Sequence, residues 1–298
     1  MPHTSGQLSI FGLMEKVLVL GKDGQLGKAL QRISVAGSWK FVGKDEINLV
    51  ETEKILGKLE REDFDVLVNC AAYTAVDQAE DEPQIAQRIN AAALAPIAEA
   101  CRQKNAVLIH LSTDYVFGAV SPVPITEEAE TNPECEYGKT KLAGEETIRS
   151  ILDQHIIIRT SWLYGTEGKN FLQTMLKLGK SKERIQVVYD QVGTPTFVEH
   201  LAGAITDIIK LQKPAYGTYN YSNEGVSSWF DFAHAIFDLA GLKTEIEPVL
   251  SNTFPAKAKR PKYSVLDKQK IKDTFGIEIP YWRNGLKACL HKMNELNE

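Results

Sequence analysis

Short apolar runs alternate with stretches whose apolar residues recur at helical spacing, and this alternation continues through the first half of the chain. Val17-Leu18-Val19-Leu20 is an unbroken apolar run closed by Gly21, the pattern of a strand covered on both faces. Leu26, Ala29, Leu30 and Ile33 follow at offsets 0, 3, 4 and 7, which predicts a helix with one face on a core. A second buried strand is expected at Val66-Leu67-Val68, ending at Asn69. A long helix should follow, with Ile85, Ile89, Ala92, Ala93 and Ile97 on its buried side. Val107 to Leu111 reads as the next strand, Tyr137 to Leu152 as a helix and Ile156-Ile157-Ile158 as a further strand. Apolar strands separated by helices predict an α/β fold with a doubly wound parallel sheet.

The second half changes character. Helical periodicity is present at Phe171 to Leu178 and Val198 to Ile209, with strand-like Ile185-Gln186-Val187-Val188 between them. A helix is expected from Ser228 to Ala240, since Ser228 and Asp231 have capping-box spacing and Gly241 suits a C-terminal stop. A last helix begins near Tyr281. The division this predicts is a dinucleotide-binding domain over 14–165, with 185–222 returning to it. A smaller C-terminal α/β substrate domain then comprises 166–184 and 223–298. Residues 1–13 are polar and turn-rich, without a signal-peptide pattern, and read as an extension outside the fold.

Composition narrows the class. At 43% hydrophobic and 24% charged, the 298 residues exclude a disordered or collagen-like chain. The net charge of −5 argues against nucleic acid as a partner, and no apolar run is long enough for a membrane span. Cys70, Cys101, Cys135 and Cys289 are scattered, as expected of a cytoplasmic protein without a disulfide framework.

The chemistry concentrates in three places. Gly21, Gly24 and Gly27, in G-x-x-G-x-x-G spacing between the first strand and helix, allow a tight turn and close approach of a pyrophosphate to a helix N-terminus. An acidic residue for the ribose is not obvious among Lys44, Asp45, Glu46 and Asn48, and a lysine there favours NADPH over NADH. Ser112 and Thr113 stand at the end of an apolar strand, where open α/β sheets bind ligands. Tyr137 and Lys141 are four apart on one helix face. The ammonium is expected to pull the phenol from about 10 towards about 7, which requires roughly 4 kcal/mol of differential stabilisation. Lys257, Lys259, Arg260 and Lys262 form a local basic run.

Together with Asn69 to Asp77, Arg159 to Gly165, Asp190 to Thr196 and Arg260-Pro261, these motifs resemble the extended short-chain dehydrogenase/reductases. Within them they resemble the subfamily that reduces dTDP-4-dehydrorhamnose. The resemblance runs from about Met14 to the C-terminus. It implies a Rossmann-type fold, NADPH or NADH as cofactor and a dTDP-sugar as substrate, reduced at its 4-keto group, in a monomer or homodimer. It implies Thr113, Tyr137 and Lys141 as the catalytic group, with Tyr137 the general acid. Gly21, Gly24, Gln25, Leu26, Gly27, Ala71, Ala72, Tyr73, Tyr137 and Lys141 would contact the cofactor. Thr74, Val76, Tyr115, Trp162, Gln191 and Arg260 would contact the substrate, with Arg260 clamping its diphosphate, and Thr194 is a further candidate. Some members hold magnesium with a glutamate just after the glycine loop. Lys28-Ala29 stands there instead, and no metal is expected. Two alternatives stay open. One is an epimerase or dehydratase on the same fold, although Asp114-Tyr115 lacks the Asp-Glu pair a dehydratase needs. The other is a non-catalytic regulatory subunit similar to the beta subunit of methionine adenosyltransferase.

Overall fold

The computed structural model describes residues 15–34, 37–118, 122–211, 213 and 215–295; the expected extension over 1–13 lies outside the described residues. The chain runs β1 (Val17–Leu20), α1 (Gln25–Ile33), β2 (Trp39–Val42), α2 (Thr52–Leu59) and β3 (Val66–Asn69). Next come α3 (Val76–Ala79), α4 (Pro83–Gln87), a π-helical turn (Arg88–Ala92), α5 (Leu94–Lys104), β4 (Val107–Thr113), α6 (Glu136–Ile151) and β5 (His155–Thr160). The second half contains β6 (Leu163–Tyr164), α7 (Phe171–Ser181), β7 (Arg184–Val188), β8 (Val192–Gly193), β9 (Thr196–Phe197), α8 (Val198–Leu211) and β10 (Gly217–Tyr221). It closes with β11 (Ser227–Ser228), α9 (Trp229–Ala240), β12 (Glu245–Val249), α10 (Gln269–Phe275) and α11 (Trp282–Glu295).

Six strands form one sheet in the order β10-β5-β4-β3-β1-β2, with every pairing parallel. Alternate strand residues point to opposite faces, and each face has its own apolar layer. Val17, Val19, Val66, Val68, Ile109, Ile156 and Ile158 pack with residues of α1, α7, α8 and α9. Leu18, Leu20, Leu67, Leu108 and Ile157 pack with residues of α2, α5 and α6. Burying each such side chain contributes about 1.5–3 kcal/mol, so two covered faces provide the main stabilisation of the fold. This is the doubly wound α/β fold that the apolar runs predict. Among the described residues no helix is long and apolar enough to cross a membrane.

The strand order reverses direction at β1, whose neighbours are β2 and β3, and a crevice for ligands opens at such a switch point. β4 runs past β3. His110 is level with Asn69, and Leu111, Ser112 and Thr113 continue beyond, alongside Ile158, Arg159 and Thr160 of β5. Three residues of β4 therefore overhang the end of β3 towards that crevice.

Two expectations are corrected. The helix anticipated around Ile85 to Ile97 is interrupted by the π turn at Arg88–Ala92. The extra residue in that turn breaks the 3.6-residue spacing. Ala93 and Ile97 are buried as expected, but Ile85 is 43% exposed, Ala92 faces solvent, and Ala86 and Asn90 are buried in their place. Within 185–222, β10 does join the large sheet, whereas β7 pairs in parallel with β12 to form a separate two-stranded sheet.

At the start of α9, Ser228 and Asp231 form a reciprocal capping box, and Gly241 ends the helix in the left-handed conformation. Ser228→Ala is expected to cost about 1 kcal/mol. The check is a lower urea midpoint at unchanged slope, and an unchanged midpoint would refute the cap's contribution. The segment after β12 runs back along β8 and the Ile125 segment. Lys262 O accepts from Val192 N at 2.8 Å and Val265 O accepts from Ile125 N at 2.8 Å, which carries Arg260 to the end of β4.

Candidate functional site

The glycine loop is built by close backbone contacts. Gly21 has φ +88°, and a Cβ on it would lie 2.8 Å from Ala71 N, so the β1 and β3 turns meet here. A Cβ on Gly27 would lie 2.2 Å from Gly21 O. Gly27→Ala is therefore expected to destabilise the fold by about 1–3 kcal/mol, read as a fall in melting temperature. An unchanged melting temperature would show that the loop tolerates the methyl group. Gly24 is the N-cap of α1, and no side chain caps that end or places an acid in its first turn. A helix start with bare N–H groups and no nearby carboxylate on its own first turn suits an anionic phosphate. Leu26 is buried, while Gln25 Oε1 accepts from Asn170 Nδ2 at 2.8 Å.

β2 ends at Val42, so the turn near the ribose position is Gly43 to Glu46. Asn48 lies farther along and accepts from Val50 N at 3.1 Å within its own turn. Lys22 pairs with Glu46 at 2.7 Å and Asp45 at 3.6 Å, and Lys44 is exposed. Lys28 pairs with Glu167 at 2.7 Å.

After β3, Ala71 N donates to Asn69 Oδ1 at 3.1 Å and Tyr73 N donates to Asn90 Oδ1 at 2.8 Å. The Asn90 amide also donates to Tyr73 O and to Thr140 Oγ1, each at 3.1 Å. The π turn thereby fastens the Ala71-Ala72-Tyr73 turn to α6, one residue from Lys141. The Tyr73 hydroxyl donates to Glu82 at 2.8 Å. Thr74 is exposed, and Val76 is half-buried at the start of α3.

Thr113, at the end of β4, hydrogen-bonds with Tyr137 on α6 and donates to Asp114 Oδ1 at 3.0 Å. Tyr115 meets Tyr137 edge-on, with ring centroids 5.4 Å apart. Burial raises the Tyr137 phenol above its ordinary value, and the Thr113 hydrogen bond only partly opposes this. The expected depression by Lys141 is absent because the amine is engaged elsewhere. Lys141 Nζ donates to Leu111 O at 2.6 Å and lies 3.1 Å from His110 Nε2. Burial lowers Lys141 to about 8. Burial likewise raises Asp114 to about 6, against hydrogen bonds from Ser264 and Thr113.

The basic run at 257–262 is spread over three acids. Lys257 pairs with Asp81 at 2.5 Å, Lys259 with Glu134, and Arg260 with Asp77 through two bonds of 3.1 and 2.6 Å. Arg260 also lies close enough to Tyr115 to lower its phenol, although burial dominates and leaves Tyr115 raised. Trp162 has φ +48° and stacks on Trp229, with centroids 3.5 Å apart and planes 8° from parallel. Gln191 is buried beside β8, and Thr194 is buried with its hydroxyl donating to Gly225 O at 2.7 Å. Thr113, Tyr115, Tyr137 and Arg260 thus come together, Lys141 lies one helical turn away, and the glycine loop meets Ala71 at the switch point.

The model of the RmlD substrate binding domain matches residues 14–295. The chain belongs to that family. Among its RmlD-family relatives, the spore coat polysaccharide biosynthesis protein SpsK of Bacillus subtilis is 39% identical over 281 residues, covering 94% of this chain and 98% of that protein. The dTDP-4-dehydrorhamnose reductase of Salmonella typhimurium is 39% identical over 295 residues, covering 93% of this chain and 97% of that enzyme. The crystal structure of dTDP-4-dehydrorhamnose reductase from Bacillus anthracis in complex with NADP superposes with a TM-score of 0.90 at 37% identity, covering 94% of this chain and all of that one. The resemblance carried by the motifs holds over nearly the whole chain.

Two polar residues of this RmlD-family site, His110 and Asn90, lie outside every motif, inside apolar or helical stretches where a polar residue carries no spacing signal, and the motif from Asn69 to Asp77 does not show its partners. Asp77, the partner of Arg260, is 183 positions away in the sequence. Asn69 and His110 each stand at a position that strand alternation assigns to a core face.

Proposed function

We propose that this chain reduces the 4-keto group of dTDP-4-dehydro-L-rhamnose to dTDP-L-rhamnose with NADPH, acting in the cytoplasm. The observation that carries the reading is the hydrogen bond between Thr113 and Tyr137 beside the switch-point crevice, with Lys141 one helical turn along α6. It occurs in a chain 39% identical to a dTDP-4-dehydrorhamnose reductase over almost its full length. Gly21 to Gly27 and the Ala71-Ala72-Tyr73 turn would hold the nicotinamide cofactor, whose chemistry is to supply the hydride. The B. anthracis relative, whose crystal structure contains NADP, and the lysines around the β2 turn support NADPH.

Reduction of a carbonyl leaves an alkoxide, which is more basic than a phenolate, so proton transfer from Tyr137 runs downhill. A phenol raised by burial stays protonated at neutral pH and is therefore the right form for a general acid. Thr113 shares a hydrogen bond with that phenol and would orient the keto oxygen between them. Lys141, in its charged form, would bind the cofactor's ribose and stabilise the phenolate left after transfer. Arg260 would leave Asp77 for the substrate diphosphate, which offers two planar anionic edges to its guanidinium. Tyr115, Trp162, Thr74, Val76 and Gln191 would line the sugar and nucleotide pocket.

The test offers the keto sugar nucleotide with NADPH and then without any reductant. Stoichiometric NADPH oxidation, with dTDP-rhamnose formed only when NADPH is present, supports the reductase. Turnover without added reductant would identify an epimerase or dehydratase, and binding without turnover would identify a regulatory subunit.

A further inference from the structure

On the side of Lys141 away from solvent, Asn69, His110 and Lys141 form a line of polar groups, each only 1% exposed. Its hydrogen positions are determined from one end. Ala71 N–H can only donate, and it donates to Asn69 Oδ1 at 3.1 Å. That orients the amide so that Nδ2, also solely a donor, faces His110 Nδ1 at 3.1 Å. Nδ1 is therefore the acceptor, and in a neutral imidazole the hydrogen sits on Nε2. Nε2 lies 3.1 Å from Lys141 Nζ. An ammonium at that place would set two donors against each other, whereas a neutral amine presents its lone pair to Nε2–H and still donates to Leu111 O.

We propose that His110 is a positioning residue for Lys141: fixed in its Nε2–H tautomer by Asn69, it donates to the lysine amine and favours its uncharged form against β4, so that this lysine gives up its proton more readily than a surface lysine. The inference deepens the reductase reading and rests on it only for its catalytic consequence. The environment agrees. Burial lowers both Lys141 and His110, and the Lys141 charge would lower His110 further. Among the described residues the carboxylate opposing this is Glu145, the next turn along α6, which raises Lys141. It is itself held by Arg159 from β5 at 2.7 Å and Arg149 from α6 at 3.1 Å. Tyr137, on the same helix face, is protonated and uncharged at neutral pH. When Lys141 takes up a proton from the solvent, the lone pair that accepts from Nε2–H is lost. Charging the lysine and releasing it from His110 are then one event, and the charged form needed beside Tyr137 is the form that His110 does not hold.

The test is a lysine titration by NMR on the free protein carrying 13C-labelled lysine, with Lys141→Arg used to assign the signal. The wild-type Lys141 midpoint is expected near the burial-lowered value of about 8. His110→Gln replaces the ring donor with an amide that can turn its carbonyl to the ammonium, and the midpoint should rise by about one pH unit. Asn69→Asp gives a second route. A carboxylate draws the hydrogen to Nδ1, leaves Nε2 as an acceptor and should raise the Lys141 midpoint in the same direction. A merely structural role would lower the melting temperature of these variants without moving the midpoint. Unchanged midpoints in the folded variants would overturn the proposal, as would a wild-type Lys141 that titrates with the surface lysines. No sugar or cofactor enters the measurement, so its failure is distinct from failure of the reductase reading.

Discussion

Tyr137→Phe is expected to lower kcat by roughly 10²–10⁴-fold while NADPH binding stays within a few-fold of wild type. The substitution removes one hydroxyl from a side chain that is otherwise held by α6 and by its edge-on contact with Tyr115. The ring, and hence the packing, remains. What is lost is the proposed proton donor for the oxygen that becomes the product hydroxyl. Thr113 keeps its own hydroxyl but donates to Asp114, and an aliphatic hydroxyl is a much weaker acid than a phenol. Initial rates of NADPH oxidation, with coenzyme affinity measured separately by fluorescence, separate the two effects. Turnover within tenfold of wild type would remove Tyr137 from the acid role. Parallel loss of coenzyme binding would instead place the hydroxyl in the binding site.

Glu145→Leu is expected to destabilise the fold by about 3–5 kcal/mol, the largest stability effect of any single change considered. The Glu145 side chain is fully buried and receives Arg159 through two bonds, at 3.0 and 2.7 Å, together with the Ser112 hydroxyl at 2.5 Å. Removing the carboxylate leaves the Arg159 guanidinium buried without its partner. Replacing both residues, as Glu145→Leu with Arg159→Met, should recover much of the loss because no unpaired buried charge remains, Arg149 being partly exposed. Urea denaturation of the single and double variants checks this, and a single variant as stable as wild type would refute it. The pH dependence has a defined sign. Burial alone would raise the Glu145 carboxyl, but Arg159, Ser112 and Arg149 hold it below its ordinary value. Its stabilisation is therefore present above the ordinary carboxylate range and is lost as pH falls through the lower, folded value. Asp114 acts in the opposite sense. Raised to about 6, it burdens the fold above that pH, and the burden is relieved as pH falls from about 6 towards the ordinary aspartate value.

Much of this architecture is visible in the amino-acid sequence because it rests on local pattern. The apolar runs of β1, β3, β4 and β5 mark strands buried on both faces, and Ser228, Asp231 and Gly241 delimit α9 through hydrogen bonds made within a few residues. The glycine spacing is legible for the same reason, since Gly27 packs on Gly21 six residues away. Pattern fails where tertiary structure overrides it. β2, at the sheet edge, reads Trp-Lys-Phe-Val and is only partly covered, so it lacks the continuous apolar signature. The π turn displaces the buried face between Ile85 and Ala93 by inserting a residue that no periodicity announces. In the site, the i to i+4 relation of Tyr137 and Lys141 is readable, but the direction of the lysine amine is not. It is set by Leu111 O and His110, residues 30 and 31 positions away on another element. A strong electrostatic pull on Tyr137 was therefore expected from spacing and is missing in space.

In the proposed reduction a bound nicotinamide would supply hydride to C4 of the sugar nucleotide. This transfer is tested most directly by supplying the two 4-deuterated stereoisomers of NADPH in turn with dTDP-4-dehydro-L-rhamnose and locating the label in the product. With one of the two isomers, the dTDP-rhamnose formed should carry a single deuterium at C4, and with the other the label should remain on the oxidised coenzyme. Unlabelled dTDP-rhamnose from both isomers, or no product despite demonstrated NADPH binding, would contradict the assignment.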